Sequence, residues 1–138
     1  MNIAIVGATG NVGRKILEVL EKKELKIDNL YLVASSKSLG KKIKFRDKEY
    51  AVVDLDNFDF SKAKITFFAA GGKISKDFAE KASKKSLVID NSSFFRMDPD
   101  VPLIVPQVNS KDLNNIKKNI IANPNCSTAQ LVIALKPL

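Results

Sequence analysis

Histidine and tryptophan are absent from the 138 residues, and cysteine occurs once. Without imidazole the Cys/His combinations of zinc sites are excluded, and any reaction on this chain has to use another base. No metal site is expected. A lone cysteine cannot close an internal disulfide, so the stapled scaffolds of small secreted proteins are excluded as well. No run reaches the roughly 18 to 20 apolar residues of a membrane span. The opening Met1-Asn2-Ile3-Ala4-Ile5-Val6 carries no basic leader, so a cytoplasmic chain without a membrane partner is expected.

What is present is the composition of a globular domain, 45% hydrophobic and 28% charged, in a length that suits one core. Lys and Arg number 23 against 15 Asp and Glu, a formal net charge of +8. Only Arg14, Arg46 and Arg96 are arginines, the lysines are spread along the chain, and no aromatics are interleaved at base-stacking spacing. This pattern argues for solvated faces and against nucleic acid as a partner.

Strand and helix patterns alternate. Ile3–Val6 is an apolar run closed by Gly7, and Val12, Ile16, Leu17 and Leu20 recur at helical spacing within Asn11–Lys23. Leu30–Ala34 reads as a strand, and Lys44–Val53, interrupted by Arg46-Asp47-Lys48, as a hairpin. Ile65–Ala69 ends in a Gly71-Gly72 turn, after which Ser75 is expected to cap a helix reaching about Lys84. Leu87–Ile89 is a further buried strand, followed by an irregular surface loop from Asp90 to Pro102. Leu103–Val105 reads as a short strand, Ser110–Lys118 as a short helix, Ile120–Ala122 as a strand and Ser127–Leu135 as a helix stopped by Pro137. Buried strands alternating with helices predict an α/β doubly wound, mostly parallel, Rossmann-like sheet with helices on both faces, built as one domain over residues 1–138.

Ligands of such sheets sit beyond the carboxyl ends of the strands. Gly7-Ala8-Thr9-Gly10-Asn11-Val12-Gly13 follows the first strand and opens the first helix, the context that gives a Gly-x-x-Gly-x-x-Gly turn its meaning. Free N–H groups and the helix dipole there suit a dinucleotide pyrophosphate. After the second strand an NAD-preferring site places an acid on the ribose 2′-hydroxyl. Ser35-Ser36-Lys37-Ser38 instead offers hydroxyls and a cation, which favours NADP. The single Cys126, between a strand and the last helix, is expected at or next to a helix N-cap. There the unpaired N–H groups favour a thiolate and can hold an oxyanion. A thiolate beside a nicotinamide points to aldehyde oxidation through an acyl thioester, cleaved by a second nucleophile such as phosphate.

Four segments together resemble the aspartate-semialdehyde dehydrogenase family in order and spacing: Gly7 to Gly13, Phe68-Ala69-Ala70-Gly71-Gly72, Asp90 to Asp98, and Asn123-Pro124-Asn125-Cys126-Ser127-Thr128. The resemblance implies an NADP-dependent oxidoreductase that interconverts aspartyl phosphate and aspartate semialdehyde on the route to lysine, threonine and methionine. By that likeness Cys126 matches the nucleophile, and Arg96 and Asn125 match the phosphate- and substrate-binding residues. Thr9, Gly10, Asn11 and Val12 match the pyrophosphate turn, Lys37 and Ser38 the 2′-phosphate site, and Gly71 and Gly72 the turn near the nicotinamide. Related acetylglutamyl-phosphate reductases usually carry Gly-Cys-Tyr at the nucleophile, unlike Asn125-Cys126-Ser127. The chain departs from the family's pattern at Lys37, where Arg is usual, at Gln107, where Glu is frequent, and at Phe94-Phe95. The family's histidine base and carboxylate-binding arginine belong to a C-terminal substrate and dimerisation domain that this chain does not contain. The resemblance therefore implies a chain inactive alone, a complementary part that meets an unusually apolar surface here, and a homo-oligomer when complete. An inert NADP-binding module is the first alternative, and an acetylglutamyl-phosphate reductase-like enzyme domain the second.

Overall fold

The computed structural model describes all of residues 1–138. Seven strands form one sheet: β1 (Asn2–Val6), β2 (Asn29–Ala34), β3 (Lys42–Phe45), β4 (Lys48–Asp54), β5 (Ile65–Phe68), β6 (Leu87–Asp90) and β7 (Ile120–Ala122). Their spatial order is β3-β4-β2-β1-β5-β6-β7. All pairings are parallel except β3 with β4, a hairpin whose turn is Arg46-Asp47. Leaving aside β3, the six parallel strands follow the order of a doubly wound nucleotide-binding sheet, reversing direction beside β1. Lys42 and Lys44 on β3 keep that edge charged, which discourages strand addition.

The helices are α1 (Asn11–Lys22), α2 (Gly72–Ser83), the four-residue α3 (Pro106–Asn109) and α4 (Cys126–Leu135). Leu17 and Leu20 of α1 pack with Ile3, Ile5, Leu30 and Leu32 on one face of the sheet. On the other face Ala79 and Ala82 of α2 pack with Val6, Val33, Phe68, Val88 and Ile120. α1 and α2 thus lie on opposite faces, as two right-handed crossovers running in opposite directions from β1 require.

Four local readings need correction. Ser75 does not cap α2: the N-cap is Gly71, and Ser75 is buried one turn inside the helix. Its hydroxyl donates to Asp90 Oδ1 at 2.7 Å, so a tertiary bond replaces the local one. The helix expected at Ser110–Lys118 is instead α3 followed by a 3-10 turn at Ser110–Asn114, with Pro106 at the first helical position. Leu103–Val105 forms only a single bridge, Leu103 to Ala122. The stretch after Ile89 is not wholly a surface loop: Asp90 ends β6, and Phe95 and Val101 are inserted in the core on the α2 face.

Apolar surface remains on two helices, α1 and α4. Val12, Ile16, Val19 and Leu20 of α1 and Phe67 of β5 line an open groove of about 320 Å³. Leu131, Ile133 and Leu135 of α4 are exposed, and α4 buries no residue at all. No helix is long and apolar enough to cross a membrane.

Candidate functional site

Strand register builds the site. Val33, Val6, Phe68, Asp90 and Ala122 stand side by side across five parallel strands. Each following residue then hydrogen-bonds to the adjoining strand: Gly7 N–H to Val33 O, Ala69 to Val6 O, Asn91 to Phe68 O and Asn123 to Asp90 O, all within 2.8–2.9 Å. The glycine turn, the 69–72 turn, the 91–96 loop and the Asn123–Cys126 turn therefore leave one edge of the sheet at one height.

At the first turn Gly7 has φ +86°, and a Cβ there would lie 2.5 Å from the Ala69 carbonyl oxygen. A Cβ on Gly13 would lie 2.2 Å from the Gly7 carbonyl oxygen, so this glycine lets α1 start against the turn. Gly10, the N-cap of α1, is in open extended backbone. Its carbonyl accepts from Arg14, the first helical bond, which leaves the N–H groups of Asn11 and Val12 without backbone partners. Both residues are exposed. This donor set fits a dinucleotide pyrophosphate.

Thr9 Oγ1 lies 3.5 Å from Ser38 Oγ, joining the glycine turn to the 3-10 turn Ser36–Ser38 after β2. Ser35, Ser36 and Lys37 are exposed beside it, and Lys37 takes part in no ion pair. A cleft of about 270 Å³ opens between these turns, with Gly7, Thr9, Gly10 and Ser35 on its polar side and Leu55, Ala70 and Ile74 on its apolar side. Leu55 and Ile74 are sequence-distant apolar residues that no motif marks. Gly71, the α2 N-cap, is exposed, and a Cβ on half-buried Gly72 would lie 3.9 Å from Ser93 Oγ, so the 69–72 turn adjoins the 91–96 loop.

Cys126 is the first residue of α4 and is exposed. Asn125 caps the helix, its Oδ1 accepting from Ser127 N–H at 2.8 Å, with Cys126 Sγ 3.9 Å from the same oxygen. Arg96 is half-buried and ties two strand ends: Nε donates to Asn123 O at 2.9 Å and Nη2 to Asn91 O at 3.1 Å. Two of the five N–H donors of a guanidinium are thereby used, and Nη1 keeps both of its own. Sequence pattern missed the polar web beneath. Asp90 is fully buried and accepts from Ser75 Oγ, Ser92 N–H and Ser92 Oγ, while Asn123 Nδ2 donates to Asn91 Oδ1 at 2.7 Å. A carboxylate closing the apolar run Leu87-Val88-Ile89 was its one visible sign.

The loop is clipped down further along. Asp98 Oδ2 accepts from Lys118 Nζ at 2.8 Å and Oδ1 from Asp100 N–H at 2.9 Å. The Lys118 bond, then the Asp100 N–H, hold the carboxyl below its ordinary value of 3.8. The same bond raises the Lys118 ammonium above 10.5. A lowered carboxyl stabilises the fold fully above 3.8 and loses that contribution as pH falls through the folded value. For Lys118 the contribution is full below 10.5 and is lost as pH rises through the raised value. Asp98→Asn should lower the melting temperature by a few degrees at most at neutral pH, and the gap from the parent should close as the pH is taken well below 3.8. Circular-dichroism melts across pH check this, and a gap independent of pH would refute it.

Fold and turn together define a doubly wound, dinucleotide-binding domain. The model of the family "Semialdehyde dehydrogenase, NAD binding domain" matches residues 2–116, and the chain belongs to that family. An aspartate-semialdehyde dehydrogenase of Legionella pneumophila is 51% identical over 140 residues, covering 100% of this chain and 40% of its own length. Among solved structures, aspartate semialdehyde dehydrogenase II of Vibrio cholerae, complexed with ASA, superposes with a TM-score of 0.96 at 48% identity, covering 99% of this chain and 45% of that one. The Candida albicans aspartate semialdehyde dehydrogenase with NADP superposes at 0.78 with 30% identity, over 99% of this chain and 46% of that one. The chain thus spans between 40% and 46% of the length of these three proteins.

Proposed function

We propose that this chain is the nucleotide-binding, thiol-bearing N-terminal part of an NADP-dependent aspartate-semialdehyde dehydrogenase. The observation that carries the reading is the shared sheet edge, from which the glycine turn, the Arg96 loop and the Cys126 turn all leave at one height. The bound dinucleotide would supply hydride transfer at its nicotinamide. Asn11 and Val12 N–H groups hold its pyrophosphate, Ser35, Ser36, Lys37 and Ser38 take the 2′-phosphate, and Gly71 and Gly72 keep the 69–72 turn close to the nicotinamide. Lys37 acts there as a point charge without the planar fork of arginine.

Cys126 Sγ attacks the aldehyde carbon, and N–H groups of the first turn of α4 steady the oxygen as it gains charge. Asn125 caps that turn through Ser127 N–H, which leaves the Cys126 and Thr128 N–H groups without backbone partners. Loss of hydride leaves an acyl thioester on Cys126. A phosphate oxygen, guided by Arg96 through Nη1, then attacks the acyl carbon and expels the thiolate. The base for the first step and the group that binds the substrate's carboxylate come from a complementary part. That part is supported by the greater length of the relatives and by the apolar groove and exposed α4 described above. A reactive unpaired thiol suits a reducing compartment, so the same reading places the protein in the cytoplasm.

The test is phosphate-dependent NADPH formation from aspartate semialdehyde. The 138-residue chain alone should be silent, while a chimera in which it replaces the matching segment of the Legionella relative should turn over. NADPH should bind the chain alone more tightly than NADH. Turnover by the chain alone would place a base within it and overturn the division of labour. A folded, NADPH-binding but inactive chimera would make the chain an inert module.

A further inference from the structure

Below the site lies the polar web that no motif marks. We infer that Asp90 and Asn123 are positioning residues that fix the Arg96 guanidinium relative to the Cys126 turn, an inference that rests on the reading of Arg96 as the phosphate-binding group. Asn123 meets the end of β6 and the loop that follows it through three bonds: its N–H donates to Asp90 O at 2.8 Å, its carbonyl accepts from Arg96 Nε at 2.9 Å, and its Nδ2 donates to Asn91 Oδ1 at 2.7 Å. Arg96 closes the ring by donating to Asn91 O. The guanidinium is therefore clamped between the carbonyls of Asn91 and Asn123, three residues before Cys126, which turns Nη1 away from both carbonyls.

Asp90 holds this ring from the core. It is 0% exposed, and no cation pairs with it; its oxygens are met only by the Ser75 and Ser92 hydroxyls and the Ser92 N–H. Ser92 Oγ in turn accepts from Phe94 N–H, so the carboxylate determines how the chain leaves β6. A buried carboxylate with no cation is costly unless its lone pairs are engaged. Here they are engaged by the segment that delivers Arg96 and by α2, so the same bonds that make the burial tolerable also set the loop's path.

The probe is inorganic phosphate, read as protection of Cys126, the only thiol, from iodoacetamide. Arg96→Ala should abolish protection. Asn123→Ala and Asp90→Asn should weaken it about three- to tenfold, as expected for losing one restraining hydrogen bond. NADPH affinity should stay within twofold of the parent, a readout that general destabilisation would also move. Asn123 is exposed, so Asn123→Ala carries the test if Asp90→Asn does not fold. Unchanged protection in folded Asn123→Ala and Asp90→Asn, with loss in Arg96→Ala, overturns this inference and leaves the phosphate reading standing. Protection that survives Arg96→Ala overturns both.

Discussion

Gly13→Ala is expected to lower the melting temperature by about 10 °C or more. The added Cβ would stand 2.2 Å from the Gly7 carbonyl oxygen, 2.8 Å from Ala8 Cα and 2.9 Å from the Gly7 carbonyl carbon. All three are backbone atoms of the turn, so no side chain can rotate out of the way. Either α1 must move off the sheet, giving up the packing of Leu17 and Leu20 against Ile3, Ile5 and Leu32, or the turn must deform. Forced overpacking of this kind costs about 3 kcal/mol or more. For a chain of this length each kcal/mol is worth roughly 3–4 °C. Gly10→Ala is the matched control. Its nearest neighbour would be Gly7 O at 3.4 Å, and its φ of −79° is open to any residue. The melting temperature should therefore change by no more than about 2 °C, because a slightly poorer cap is offset by a less flexible unfolded chain. NADPH affinity should nevertheless fall more than tenfold, since the methyl group occupies the face on which the pyrophosphate is proposed to rest. Thermal melts and fluorescence titration separate the two effects. A Gly13→Ala protein melting within 3 °C of the parent would refute the packing argument, and unchanged NADPH binding by Gly10→Ala would remove the pyrophosphate from this turn.

The contrast shows which parts of the molecule sequence pattern reaches. Ile3–Val6, Leu30–Ala34, Ile65–Ala69 and Ile120–Ala122 are apolar runs too short for helices, and each falls on a strand. Of the expected stripe Val12, Ile16, Leu17 and Leu20 on α1, the structure buries Leu17 and Leu20, half-buries Ile16 and leaves Val12 exposed. Gly7 and Gly13 were legible because a turn between strand and helix leaves little room for side chains. Ser75 was misread because a hydroxyl near a helix start satisfies the local capping pattern, whereas its partner, Asp90, lies on another strand. The 91–102 loop was misread for a related reason. Its polar residues look solvated in one dimension, yet Ser92 is buried against Asp90, and Phe95 and Val101 fill the space beside α2. The site followed the same division. Motifs pointed to each turn separately, but the ring joining Asn91, Arg96 and Asn123 depends on the β5-β6-β7 register, which no local pattern encodes.

Cys126→Ser is expected to reduce turnover of the chimera by at least about 10³-fold. Cys126 is exposed at the first position of α4, and the one hydrogen-bond partner of its sulfur is Asn125 Oδ1 at 3.9 Å. Serine is nearly isosteric and favoured at helix starts, so neither the α4 cap nor the melting temperature should move by more than about 2 °C. The Asn125 bond to Ser127 N–H and the Arg96 bond to Asn123 O involve no Cys126 atom, so the surrounding frame persists. NADPH binding, carried by a different turn of the same sheet edge, should also persist. What changes is the nucleophile. A serine hydroxyl is overwhelmingly protonated at neutral pH, and its ester is a poorer acyl donor to phosphate than a thioester. Both halves of the reaction therefore suffer. Mass spectrometry of the parent chimera mixed with aspartate semialdehyde and NADP, without phosphate, should show an acyl adduct on Cys126 that added phosphate discharges. The serine variant should show none. Turnover above a tenth of the parent value, or an adduct on any residue other than Cys126, would mean that the thiol at the start of α4 is not the group that attacks the aldehyde.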